Sequence, residues 1–148
     1  MISVKNQFIK EISESARRAF PDECCGLLAG KGDIDDQLTI TQLRASTNLT
    51  TSSPSVRFEV DPKVHFNFIH ELEGTNERVI GHYHSHPNQP ARPSKQDLKM
   101  AYDPKMLWVI ISLDANGIKE VRAYRIIESL ANFQEIPLFI STNHQSNK

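Results

Sequence analysis

The sequence predicts an α/β domain in which helices pack against a mixed β-sheet. Segments with helical spacing of apolar residues alternate along the chain with apolar runs of strand length. The continuous apolar run Leu107–Leu113 is typical of a buried central strand. Asn116 and Gly117 then provide the turn signal of a β-hairpin into Ile118–Ile126. Strands and helices in this mixed order favour a sheet with helices packed on it.

The first third of the chain contains one predicted helix and two predicted strands. Apolar residues recur at helical spacing over Ser3–Phe20, and Pro21 ends that segment. The short apolar run Cys24–Ala29 and the alternating segment Gln37–Ala45 are the predicted strands. The glycine-rich stretch Gly30–Asp33 supplies the turn between them.

The middle of the chain combines a loop, a second helix and a strand. Ser46–Ser55 is dense in Ser, Thr and Asn, which predicts an exposed loop. Asp61 as N-cap and Pro62 at the first helical position predict a helix that ends at Gly74. Arg78–His84 is the next predicted strand.

The last third is expected to contain a short helix, a hairpin and a tail. The helix is predicted over Ser94–Tyr102, before an Asp-Pro pair. The remainder, Glu128–Lys148, is predicted to be a C-terminal tail, and its polar end Ser141–Lys148 is predicted to be frayed. The chain shows no internal repeat, so residues 1–148 are expected to form a single domain.

Length and charge exclude several classes of protein. The chain has 148 residues and a formal net charge of −1, which gives no argument for nucleic acid or an anionic membrane as a partner. No apolar run reaches the ~18 residues of a membrane span, and the N-terminus lacks the layout of a signal peptide. Cys24 and Cys25 are adjacent and cannot pair with each other without severe strain. We therefore expect a cytoplasmic protein without a disulfide framework.

His84, His86 and Asp97 have a spacing that suits one metal ion. Residues two apart on a strand project to the same face, about 6.6 Å apart, so both imidazoles can turn toward one point. Asp97, in the first turn of the following predicted helix, can be the third ligand, because the proline-rich loop Pro87–Pro93 rigidly links the two halves. Zinc accepts these ligand types at about 2.0–2.2 Å, and three protein ligands leave one coordination position open, as in hydrolytic zinc sites.

The segment Ser94–Asp97 also fits a purely structural pattern. It is a capping box, in which Ser94 would cap the helix and Asp97 would bond back to the N-cap. A His-x-His pair alone is likewise common by chance. The combination favours a catalytic metal site, since no cysteine cluster competes for the role and the zinc-deaminase signature is absent.

Two motifs resemble those of the JAMM (MPN-plus) metalloproteases. The segment from His84 to Asp97 follows the family pattern His-x-His-Pro-x6-Ser-x-x-Asp without a departure in spacing. Pro21–Gly30 resembles the family segment Pro-x-Glu-x-Cys-Gly-Leu-Leu-x-Gly, and weaker matches follow at Asn48 and Phe58–Pro62. The resemblance covers about residues 4–127, the expected core of the domain, and is to the compact stand-alone prokaryotic members.

The resemblance implies a fold, a cofactor and a set of site residues. It implies a curved mixed β-sheet flanked by helices, related to the deaminase-like fold, with Zn²⁺ held by His84, His86 and Asp97. Glu23 would be the general base, and Ser94 would help to hold the developing oxyanion. Sequence alone does not single out Glu23, because the chain has ten glutamates.

His82 and Cys25 are two further candidate site residues. His82 stands where the family often carries a larger aromatic, on the same predicted strand face as His84. Because His82 and His86 would lie about 13 Å apart on a regular strand, we expect His82 to line the site rather than to bind the metal. Cys25 could be a nucleophile, but a buried strand cysteine that acts as a small hydrophobe is the favoured interpretation.

The resemblance further implies a protein substrate. Such enzymes cut after the C-terminal glycine of a ubiquitin-like protein, and the compact prokaryotic members process ubiquitin-like modifiers or sulfur carriers with a β-grasp fold. The loop Ser46–Ser55 and the turn Glu73–Glu77 are candidate contacts for that partner. Two alternatives stay open: a zinc hydrolase of another amide or small molecule, and a non-catalytic scaffold, although such scaffolds usually lack some of the ligands present here.

Overall fold

An eight-stranded sheet with three helices and one 3₁₀ turn makes up the computed structural model, which describes residues 1–101 and 103–142. The strands are β1 (Ile2–Lys5), β2 (Cys25–Gly32), β3 (Leu38–Ser46), β4 (Arg78–Pro87), β5 (Leu107–Asp114), β6 (Gly117–Ile127), β7 (Asn132–Ile136) and β8 (Leu138–Ser141). The helices are α1 (Asn6–Ala19), α2 (Pro62–Leu72) and α3 (Lys95–Lys99), and the 3₁₀ turn is Glu128–Leu130.

The sheet is mixed and strongly curved. Its strand order is β7-β6-β5-β4-β2-β3-β1-β8. β4 and β5 are parallel, as are β1 with β3 and β1 with β8, whereas the other neighbours are antiparallel. β7 and β8 stand at opposite ends of this order, yet only Pro137 separates them in sequence, so the sheet must curve until its two edges lie close together. The curved, nearly barrel-like sheet confirms the predicted α/β fold class.

The two faces of the sheet have different coverings. Side chains alternate between the faces along each strand. Tyr83 and Val109 point into the main core cluster, which α1 closes with Ile12 and Ala16. The apolar residues that pack together on the opposite face are Cys25, Phe58, Trp108, Ile110 and Tyr124, and α2 packs on β2 through a separate cluster. The candidate site residues lie on that opposite face.

The N-terminal prediction is wrong at its start. The sequence predicts a helix from Ser3, whereas Ile2–Lys5 form strand β1 and α1 begins at Asn6. Ile2 and Val4 are both buried in the core cluster, and β1 pairs with β3 and β8. These tertiary pairings outweigh the helical spacing, because short segments take their structure from their neighbours.

The predicted C-terminal tail over residues 128–148 is wrong for the part that the structure describes. Residues 128–141 form the 3₁₀ turn and the strands β7 and β8, which pair with β6 and β1 respectively. Both strands have at most five residues and Pro137 lies between them, so their alternation is too short to detect in sequence. Residues 143–148 lie outside the described residues, and with them most of the predicted frayed segment. Tyr102, the last residue of the predicted helix Ser94–Tyr102, also lies outside them.

The remaining predicted elements are confirmed, with ends that shift by a few residues. The predicted strand Arg78–His84 continues to Pro87, so His86 lies on the same strand as His84. The helix start at Asp61 and Pro62 is confirmed, with the Asp61 side chain accepting from the N–H of Lys63. Within the described residues, none of the helices has the length and apolar character needed to cross a membrane.

Candidate functional site

Strand β4 places the imidazoles of His84 and His86 on one face of the sheet. Both side chains are buried, at 0% and 1% exposure, because β4 is an interior strand with β2 on one side and β5 on the other. The two Nε2 atoms are 3.1 Å apart. The structure therefore brings the two rings to the common point that the His-x-His spacing predicts.

Asp97 reaches the same point from the first turn of α3. Ser94 is the N-cap, and its Oγ accepts from the N–H of Asp97 at 3.0 Å. The N–H of Ser94 donates to Oδ2 of Asp97 at 2.9 Å. The same Oδ2 lies 3.1 Å from Nε2 of His86 and 3.4 Å from Nε2 of His84. Helix capping and metal binding are thus not alternatives, since the cap aims the carboxylate at the two histidines.

The three ligand atoms form a triangle that fits a metal ion. Their separations are 3.1, 3.1 and 3.4 Å. A tetrahedral zinc ion with ligands at about 2.0–2.1 Å requires ligand atoms about 3.3–3.4 Å apart. Two imidazole nitrogens and one carboxylate oxygen, all buried, are also the donor types that suit zinc.

The tautomer of His86 leaves a lone pair that can bind a cation at this point. Nδ1 of His86 lies 2.9 Å from the carbonyl oxygen of Pro90, which can only accept, so Nδ1 carries the hydrogen. In the neutral ring, Nε2 then presents a lone pair to the Asp97 carboxylate at 3.1 Å. Two lone pairs at that distance repel each other unless a proton or a metal ion lies between them.

The pKa shifts of the ligands agree with metal binding. Burial opposes ionisation of Asp97, yet its close contacts with the rings of His84 and His86 hold the pKa of this carboxyl well below its usual range. Burial lowers the pKa of His84, and the nearby carboxylate only partly offsets that effect. An ionised carboxylate beside a neutral imidazole is the protonation state that a metal ion requires of its ligands.

Glu23 lies two residues before β2, the strand that pairs with the histidine-bearing β4. Cys25 pairs with His84 across the antiparallel strands, so this register brings Glu23, two residues earlier, opposite His86. Residues two apart share a face, which puts Glu23 on the side of the imidazoles. Its N–H donates to the carbonyl of Pro54 at 2.8 Å, and the residue is 2% exposed.

The carboxyl group of Glu23 is available for proton transfer. Its Oε1 is buried without a hydrogen-bond partner among the described residues. Burial, and in second place the negative charge of Asp97, raise the pKa of Glu23 to about 9. A bound cation would act against both effects and favour the carboxylate. A group whose charge depends so strongly on its surroundings is typical of a general base or acid.

Asn48 fixes the main chain at Glu23, a role that its weak motif match did not indicate. Its Nδ2 donates to the carbonyl oxygens of Glu23 and Arg57, at 3.1 and 3.0 Å. Its Oδ1 accepts from the N–H groups of Thr50 and Glu59, at 3.1 and 2.9 Å. One side chain therefore ties the polar loop after β3 to the residue expected to act as base.

Aromatic side chains pack around His84. Phe58 stacks on its ring, with the centroids 4.2 Å apart and the planes at 16°. The ring centroids of His82 and Trp108 are 4.2 Å apart. His82 is not one of the three residues whose possible ligand atoms come together. Burial, followed by the proximity of His84, lowers the pKa of His82 to about 3. His82 is therefore a neutral ring beside the site, and its role in lining the site stays a prediction.

Cys25 packs as a small apolar residue. Its Sγ lies 3.9–4.0 Å from three main-chain carbonyl oxygens, and the residue is buried. Burial is the largest cause that raises the pKa of its thiol to about 12. A thiol that stays protonated is a poor nucleophile, which agrees with the interpretation as a small hydrophobe.

Comparison with known proteins gives a consistent set of similarities. Residues 5–127 match the family described as prokaryotic homologs of the JAB domain. The chain is 30% identical over 110 residues to the desampylase of Haloferax volcanii, covering 74% of this chain and 76% of that protein. It is 28% identical over 129 residues to the CysO-cysteine peptidase of Mycobacterium tuberculosis, covering 86% and 84%. A solution structure of a protein from Desulfitobacterium hafniense is similar with a TM-score of 0.82 and 30% identity, covering 97% and 94%.

Proposed function

The chain belongs to the prokaryotic JAB-domain family, and on that premise we propose that it is a zinc-dependent peptidase that hydrolyses the amide bond after the C-terminal glycine of a ubiquitin-like or sulfur-carrier protein. It is a hydrolytic enzyme of this family. The proposal that this enzyme uses zinc rests on the buried group of His84, His86 and Asp97, with the carboxyl group of Glu23 beside it.

The metal would be held by three side chains that are already in position. We assign Nε2 of His84, Nε2 of His86 and Oδ2 of Asp97 as the ligands of Zn²⁺. When bound, zinc polarises a carbonyl group and lowers the pKa of water toward about 7. The Pro90 carbonyl orients the ring of His86, and the N–H of Ser94 orients the Asp97 carboxylate. Hydrogen bonds of this kind, made to the ligands and not to the metal, raise metal affinity because they fix the ligands before binding.

Glu23 and Ser94 are the proposed catalytic residues. The Glu23 carboxylate takes a proton from the attacking water and delivers it to the departing amine, which is otherwise a poor leaving group. Its Oε1 has no competing partner among the described residues, so it is free to accept that proton. The Ser94 hydroxyl, which accepts from the main-chain N–H of Asp97, would donate to the oxyanion that develops on the carbonyl oxygen.

The proposed substrate class comes from the relatives, which act on conjugates of ubiquitin-like or sulfur-carrier proteins. We propose that residues 1–148 act as one catalytic domain on a small β-grasp protein whose extended C-terminal tail reaches the metal. Of the two predicted contact segments, we retain the loop Ser46–Ser55, which Asn48 ties to Glu23. The turn Glu73–Glu77 precedes the start of β4, at the end of that strand far from the histidines.

The test combines metal content with cleavage of defined substrates. The purified protein is assayed for zinc, then incubated with a ubiquitin-like protein whose Gly-Gly terminus is joined to a lysine or to a short extension, and with small amides. Cleavage after the glycine that stops on chelation and returns with zinc supports the proposal. Hydrolysis of the small amides alone would favour the general hydrolase, and the absence of both zinc and cleavage would favour the scaffold.

Replacing the last glycine of the substrate by alanine is expected to lower kcat/KM by well over tenfold. The tail must pass close to the metal along the wall formed by His84–Pro87, where a side chain would collide. Tenfold corresponds to about 1.4 kcal/mol of transition-state free energy. Competition between the two substrates in one reaction measures the ratio, and equal rates would contradict the proposed binding mode.

Ser94→Ala is expected to lower kcat by about 10²–10³-fold, the usual effect of losing one oxyanion donor. The same change removes an N-cap, which costs about 1 kcal/mol of stability. The two effects are separated by measuring kcat well below the melting temperature, with Ser94→Thr as the control that keeps both hydroxyl and cap. A variant that loses only thermal stability would leave Ser94 with a capping role alone.

A further inference from the structure

The loop between β4 and α3, residues 88–94, sets the position of the proposed metal ligands relative to each other. It connects the strand that carries the two histidines to the helix that carries Asp97. The contacts that hold this loop come from β5 and β6. The N–H of Asn88 donates to the carbonyl of Leu113 at 2.7 Å, and Ala91, which is 0% exposed, is held at both its N–H and its carbonyl group.

The Pro90–Ala91 peptide unit is the direct support of His86. Its carbonyl oxygen accepts from Nδ1 of His86 at 2.9 Å, and its N–H donates to Oε2 of Glu120 at 3.3 Å. The next carbonyl, that of Ala91, accepts from the hydroxyl of Tyr124 at 2.6 Å. The Arg92 N–H also donates to the Pro90 carbonyl, at 2.8 Å within the loop. The orientation of the peptide that holds the imidazole therefore depends in part on β6, whose residues lie more than thirty positions away in sequence from His86.

We propose that Tyr124 is a positioning residue for the metal ligand His86. Its hydroxyl anchors the Ala91 carbonyl, and the anchored loop presents the Pro90 carbonyl that fixes the tautomer and the orientation of the ring. Tyr124 is 5% exposed, and its ring packs edge-on against Phe133, with the centroids 6.4 Å apart. That packing holds the hydroxyl in place, and it would persist if only the hydroxyl were removed.

Loss of the hydrogen bond between Tyr124 and Ala91 is expected to affect the metal site for two physical reasons. The Tyr124 hydroxyl and the Ala91 carbonyl are both buried, so the loss of the hydroxyl leaves an unpaired carbonyl away from water. The Pro90 carbonyl, which this anchor positions, is the direct contact of the imidazole, and loss of such a direct contact typically lowers metal affinity by about 10–100-fold. The inference rests on the proposed metal site, yet it needs no assumption about the substrate.

Tyr124→Phe is expected to weaken zinc binding by up to about tenfold, less than loss of the direct Pro90 contact would, measured by competition with a chelator below the melting temperature. The matched control is Tyr83→Phe, the same change at a tyrosine buried in the main core on the opposite face of β4, for which we expect unchanged affinity. A second readout is the visible absorption of the Co²⁺-loaded protein. Tyr124→Phe is expected to shift this spectrum because the ligand field changes, whereas a general loss of stability would not shift it.

The outcomes separate this inference from the function proposed above. A wild-type protein that binds neither Zn²⁺ nor Co²⁺ contradicts the metal site and the inference with it. If the wild type binds both and Tyr124→Phe matches Tyr83→Phe in affinity and in spectrum, the positioning role alone is wrong. Should Tyr124→Phe fail to fold, Glu120→Ala removes the neighbouring loop contact from a partly exposed side chain. A smaller loss of affinity is then expected, and an unchanged affinity overturns the inference.

Discussion

Glu23→Gln is expected to lower kcat by about 10²–10⁴-fold, the usual contribution of a general base. The amide has nearly the shape of the carboxyl group but cannot accept the proton. Because Glu23 is not one of the three converging ligands, zinc content and fold are expected to be unchanged. The measurement is turnover of the glycine-terminated fusion, with zinc determined on the same sample. The matched control is Glu14→Gln on the exposed surface of α1, for which we expect wild-type turnover.

The electrostatics of Glu23 add a check that does not depend on turnover. Without metal, its pKa is raised from 4.5 to about 9, so the folded protein holds a proton that the unfolded chain releases. This contribution to the free energy of unfolding is fully present below pH 4.5 and is lost as the pH rises through about 9. The metal-free wild type should therefore lose stability relative to Glu23→Gln over this range. Near-normal turnover of the variant, or parallel stability profiles, would contradict the assignment.

The parts of the site that were predictable from sequence depend on local geometry. His84 and His86 share a face because strand side chains have a period of two, and Asp97 points back because the capping box fixes the first turn of a helix. Glu23 lies sixty-one residues before His84, so only the register between β2 and β4 brings it opposite the histidines. Family resemblance supplied that information, since no local pattern could.

The parts that were missed depend on tertiary contacts. Asn48 lies in a loop of ordinary Ser and Thr composition, and its four hydrogen bonds exist only once that loop has folded over β2. In the sequence, Tyr124 is an ordinary aromatic residue of a strand. Only the structure shows that its hydroxyl donates to the Ala91 carbonyl. β1 and β8 are four residues long and form because each completes the sheet beside the other.

Asp97→Ala is expected to lower zinc affinity strongly. Loss of a group that only contacts a metal ligand costs about 10–100-fold, and loss of the ligand itself should cost more. The change removes a ligand and the only negative charge of the three converging groups. It also removes half of the capping box, because Oδ2 of Asp97 accepts from the N–H of Ser94. Zinc content after dialysis and chelator competition measure the first effect, and thermal unfolding of the metal-free protein measures the second.

Asp97→Asn separates the two roles of this carboxylate. The asparagine side chain keeps an oxygen for the Ser94 N–H, so metal-free stability is expected to remain close to that of the wild type. Its amide oxygen carries no charge and is a poor match for a site in which two neutral imidazoles supply the other ligands, so zinc binding should still be largely lost. The two variants should thus share the defect in metal binding and differ in stability. If Asp97→Asn holds zinc as tightly as the wild type, the carboxylate is a helix cap and the metal lies elsewhere.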